Sequence, residues 1–84
     1  MTATKKDIPQ YLAEAQKKGA AYLIIAHDRW DHDNYPIYVM PNDDFYAKLP
    51  DGSNMQTYDE VYDMNMDIDT QLKEPRAVHI PSGE

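Results

Sequence analysis

The chain has 84 residues and a net charge of −7, from 15 acids against eight Lys and Arg. That length supports one domain and excludes two independent cores. With no cysteine, disulfides, thiolate metal sites and Cys nucleophiles are excluded, and the longest apolar run, Ala20 to Ala26, is far short of the roughly 20 residues a membrane span needs.

Leu, Ile, Val and Phe number only 14, but seven Tyr, five Met and one Trp restore apolar area, so a fold with a small core is expected. In chain order, Asp7 is the expected cap of a helix over 8–18, with Pro9 in its first turn, Ile8, Leu12 and Ala15 at helical spacing, and Lys17 and Lys18 at its end. Gly19 is the expected stop. Ala20 to Arg29 reads as a strand, apolar on both sides at Tyr22 to Ile25, as in a central strand covered on two faces. Asp31 to Asn34 reads as a turn and Tyr35 to Met40 as a second strand, so that 20–40 forms a β-hairpin. Pro36 assigns that second strand to an edge.

Asn42 or Asp43 is expected to cap a short helix through Leu49, and Pro50-Asp51-Gly52-Ser53 is a loop signal. Two patterns overlap from Met55 to Asp69. The spacing of Met55, Tyr58, Val61 and Tyr62 favours a helix over 54–63 followed by an irregular or extended stretch, while Tyr62, Met64, Met66 and Ile68 alternate with Asp63, Asn65, Asp67 and Asp69 as in a strand. A helical turn is expected over 70–74. Arg76 to Ile80 is a possible third strand, with flexible ends at 1–5 and 81–84. The sum is one small α+β domain, an N-terminal helix packed on a small antiparallel sheet with short acidic helices beside it. The core is expected to centre on Leu12, Tyr22, Ile24, Ile37 and Val39.

Charge is unevenly distributed, +2 over residues 1–30 and −9 over 31–84. An acidic surface repels nucleic acid and anionic membranes and attracts cations or basic protein surfaces. If 54–63 is helical, Asp59, Asp63 and Asp67 line one stripe, a row of carboxylates able to imitate the phosphates of a nucleic-acid strand. Tyr beside Asp suits a basic partner, because Arg pairs with the carboxylate and stacks on the ring. The expected contacts are Asp59, Glu60, Asp63, Asp67 and Asp69, with Tyr58 and Tyr62.

Two metal readings stand beside this one. His27 and His32, with His79 from a neighbouring strand, supply imidazole for a zinc site among the carboxylates of the His27–Asp33 segment, although no specific zinc spacing is present. Asp63, Asn65, Asp67 and Glu74 resemble positions of an EF-hand calcium loop, but Ile68 stands where its sharp turn requires Gly. No cofactor is expected. Catalysis has no motif to support it: there is no Gly-rich phosphate loop, and Ser53 and Ser82 sit in no nucleophile motif.

In composition the chain is similar to small accessory proteins of phages and mobile elements. The expectation is therefore a non-catalytic cytoplasmic interaction protein that binds a basic partner, in its most concrete form an inhibitor of a nucleic-acid-binding protein. Oligomerisation through the edge strand at Tyr35 to Met40 is a further reading. No cationic segment followed by an apolar one opens the chain, so no signal peptide is expected.

Overall fold

The computed structural model describes residues 8–30, 33–50, 52 and 55–81. Helix α1 spans Ile8–Lys18 and buries Ile8, Leu12 and Ala15. The expected cap, Asp7, lies outside the described residues. At its far end Gly19 takes φ +76°. The Gly19 amide donates to Gln16 O and the Ala20 amide to Ala15 O, the paired bonds that close a helix through a left-handed residue.

Strand β1 (Tyr22–Asp28) is the centre of a three-stranded antiparallel sheet. Its neighbours are β2 (Asp33–Val39) and β3 (Gln56–Asp63), in the order β2-β1-β3. The hairpin is present, with β2 starting two residues inside the expected turn. β2 is an edge, as Pro36 requires.

Because side chains alternate along a strand, β1 divides its apolar residues between two faces. Leu23 and Ile25 join Ile8, Leu12, Ala15, Ala20, Tyr62 and Ala77 under α1. Ile24 joins Val39, Phe45 and Val61 on the other face, with Tyr22, Ile37 and Leu49 packed at the margin. The expected core residues divide between these two faces: Leu12 is on one, while Ile24, Val39 and the half-buried Tyr22 and Ile37 are on the other. Helix α2 (Phe45–Lys48), capped by Asp44, covers that second face and sets the Phe45 ring edge-on to Tyr22 at 5.0 Å.

The expected helix over 54–63 is replaced by β3, and the reason is one extra residue. Ile25 pairs with Glu60 and Ala26 with Tyr58, which leaves Asp59 as a β-bulge. The bulge resets the alternation, so Tyr58 and Val61, three apart, share one face. That spacing imitates a helix. The stretch after 63, expected irregular or extended, is a turn leading into helix α3 (Ile68–Leu72), which starts two residues before the expected helical turn over 70–74. Buried Gln71 anchors α3: its Oε1 accepts the Asp63 amide at 2.8 Å and its Nε2 donates to Asp63 O at 2.9 Å.

The possible strand at 76–80 is reduced to one parallel bridge, Val61 to Val78, against the outer edge of β3. There the Val61 amide donates to Ala77 O and the His79 amide to Val61 O. The segment is held as far as Pro81, whose carbonyl accepts the Tyr46 hydroxyl. The fold is a small α+β domain, and no helix among the described residues is long and apolar enough to cross a membrane.

Candidate functional site

The helical stripe of Asp59, Asp63 and Asp67 does not form, because the three residues occupy three different kinds of backbone. Asp59 is the exposed bulge residue of β3, Asp63 ends that strand half-buried, and Asp67 is the exposed N-cap of α3. Asp69 is exposed in the first turn of the same helix. Tyr58 is half-buried on the face covered by α2.

Glu60 and Tyr62 are placed inside. Glu60 is 4% exposed and Tyr62 0%. By inverting the alternation, the bulge turns both toward α1. The Tyr62 hydroxyl donates to Glu60 Oε1 at 2.9 Å, and the Ala77 amide donates to Oε2 at 3.0 Å. Burial, then this hydrogen bond and the neighbouring carboxylates, push the Tyr62 hydroxyl well above the ordinary tyrosine range. These two residues tie β3 to the C-terminal segment, so they drop out of the candidate surface.

What remains is the exposed Asp59 beside the half-buried Tyr58 at the middle of β3, with the half-buried Asp63 and the exposed Asp67 and Asp69 near its end. Arg76 crosses to the first pair: its Nε donates to Asp59 O at 2.6 Å, and its guanidinium lies 5.9 Å from the Tyr58 ring centre. The bulge frees that carbonyl from the sheet ladder. Asp67 accepts the Thr70 hydroxyl and amide, and these bonds hold its carboxyl below the usual range.

The proposed metal ligands are separated. His27 pairs across β1–β3 with Thr57, and its Nδ1 is bonded to Asn34 Oδ1 at 2.6 Å. His79 lies beside Val61, farther along β3, with its Nε2 at 2.9 Å from Glu74 Oε1. His32 lies outside the described residues. Among those residues, no three His, Asp or Glu side chains are grouped to hold a metal ion. Two members of the calcium-like loop have local partners instead: Asp63 Oδ1 accepts the Asn65 amide and Asp67 caps α3.

The sequence reading missed the end of the sheet nearest the hairpin turn. Trp30 is 76% exposed there and Met55 41%. Trp30 was visible as a lone aromatic in a polar segment, but nothing local revealed that Met55 would be brought to the same end of the sheet.

No family model matches the chain, and no curated protein or solved structure is found to be similar to it.

Proposed function

We propose that this chain is a non-catalytic interaction protein that binds a basic surface on a partner protein in the cytoplasm. Its contacts would be Asp59, Asp63, Asp67 and Asp69, with Tyr58 beside them. One observation carries the reading: these four carboxylates are exposed or half-exposed, and among the described residues none forms an ion pair with Lys or Arg. Arg76, with its guanidinium 5.9 Å from the Tyr58 ring centre and its Nε on the Asp59 carbonyl, gives within the chain an example of the pairing a partner arginine would make with the neighbouring carboxylates. Coulombic attraction between exposed groups speeds encounter more than it deepens affinity.

The test begins with capture of a partner from host extract. Its association rate is then measured against salt. Association should slow steeply as salt rises, and the triple substitution of Asp59, Asp67 and Asp69 by Asn should slow it at low salt. Equal rates for parent and triple variant at every salt concentration would sink the reading. Inhibition of a nucleic-acid-binding protein is the narrower form of the proposal. It requires competition with DNA or RNA for one site, and a ternary complex would leave only the broader form.

A further inference from the structure

The hairpin end of the sheet carries three features that the fold does not need. Trp30 is the most exposed of the large apolar side chains described, and Met55 is exposed at the same end of the sheet. The Arg29 amide donates to Met55 O at 2.7 Å, so both side chains leave the same end of the sheet. Met55 has φ +63°, the one positive value at a described non-glycine residue. Gly or Asn would adopt that conformation with less strain, so backbone demand alone does not select Met.

The third feature is electrostatic. Asp28 and Asp33 are Cα partners in the β1–β2 register. Like charges directly opposed destabilise a strand pair. Among the described residues, neither forms an ion pair with Lys or Arg, Arg29 included. Asp28 Oδ1 accepts the Trp30 amide at 2.9 Å, which holds the backbone at Trp30 close to the Asp28 carboxylate.

We infer that this end is a docking surface for an arginine-bearing apolar segment of a partner protein. The guanidinium pairs with Asp28 and Asp33 and stacks on Trp30, and aliphatic neighbours in the segment cover Met55. This locates a contact for the basic partner proposed above and rests on that reading. Arginine fits better than lysine, because its planar fork meets two adjacent carboxylates and its flat face stacks on indole. The same carboxylates repel phosphate, which disfavours nucleic acid and anionic lipid as occupants.

Trp30 is the only tryptophan in the chain, so its emission reports the site directly. The probe is a short synthetic peptide alternating arginine and leucine, with versions carrying lysine or citrulline in place of arginine. The arginine peptide should shift Trp30 emission to shorter wavelength and protect it from acrylamide. The lysine version should bind about tenfold more weakly, and the citrulline version should not bind. Asp33→Asn and Met55→Gly should each weaken binding about tenfold and each raise Tm, by relieving repulsion and strain respectively. A merely structural role would not move the two readouts in opposite directions. If the arginine peptide binds without changing Trp30 emission, and only the triple Asn variant at 59, 67 and 69 loses it, the docking surface is overturned and the basic-partner reading stands. If no arginine peptide binds at millimolar concentration, both fall.

Discussion

Glu60→Ala is the sharpest test of how β3 is built. The substitution removes the acceptor of both the Tyr62 hydroxyl and the Ala77 amide, in a place where Tyr62 and Ala77 are each 0% exposed. A buried donor left without a partner costs about 1–3 kcal/mol, so the two together give roughly 3–4 kcal/mol after partial relaxation. A domain of this size has a total of only about 4–13 kcal/mol, and at ~4–8 °C per kcal/mol the melting temperature should fall by about 15–30 °C. The assay is thermal and urea unfolding followed by circular dichroism, with Glu60→Gln as the graded variant. Gln still accepts from Ala77 but cannot take both donors, and it should lose about 1–2 kcal/mol. An exposed Glu in an acidic contact face would change stability by no more than ~0.5 kcal/mol in either variant. If Glu60→Ala melts within about 2 °C of the parent, neither the bulge register nor the inward carboxylate can be right.

Ile24→Ala should cost about 2–5 kcal/mol in denaturant unfolding, because Ile24 is fully buried at the centre of the α2-side cluster. Asp67→Ala should cost about 1 kcal/mol by loss of the α3 cap, whereas Asp67→Asn, which can still accept the Thr70 amide, should be close to neutral in the same titration. Stability should decline as pH rises above ~10: Tyr62 ionises there in the unfolded chain but is held protonated when folded, so unfolding is favoured. Tyr62→Phe should flatten the decline without abolishing it, since Tyr22 and Tyr38 are shifted upward too, both mainly by burial.

The elements legible in the sequence were those whose signals are local. Helix α1 runs over the expected residues because Pro9, the Ile8-Leu12-Ala15 face and Gly19 each act within a few residues of where they stand. Strand β1 was legible as a doubly covered strand because apolar residues on both parities require a neighbour on each face. β3 was legible only as an unresolved choice between helix and strand, because a bulge is a property of two strands. Nothing in Tyr58-Asp59-Glu60 says that Asp59 will be skipped until Ile25 and Ala26 lie opposite. The same event hid the site. It moved Glu60 and Tyr62 from an imagined surface into the core and left Tyr58 facing the other way. Trp30 and Met55 were separable only by tertiary structure, since 24 residues of chain come between them.

The acid excess has a partly structural origin, and that bears on what the charge is for. Asp28, Asp43, Asp44, Asp63 and Asp67 each accept a backbone amide within three residues of themselves, and Glu60 accepts one from Ala77. Such turns and caps select a short acceptor side chain and accept Asn as readily as Asp. The chain nevertheless has 11 Asp and four Asn, and each added like charge costs self-repulsion. The sign of the charge is therefore a separate choice from the geometry. It is cleanest to test at Asp33, Asp59 and Asp69, whose carboxylates have no hydrogen-bond or ion-pair partner among the described residues. If charge serves only solubility, its position is free. If it serves a basic partner, position decides. Asp59→Asn combined with Asn42→Asp, the latter also exposed, keeps the net charge at −7 and moves one carboxylate from β3 to the turn before α2. Association with the captured partner should slow in this relocated variant as much as in Asp59→Asn alone. Recovery of the parental rate would mean that net charge, and not the β3 surface, governs the encounter.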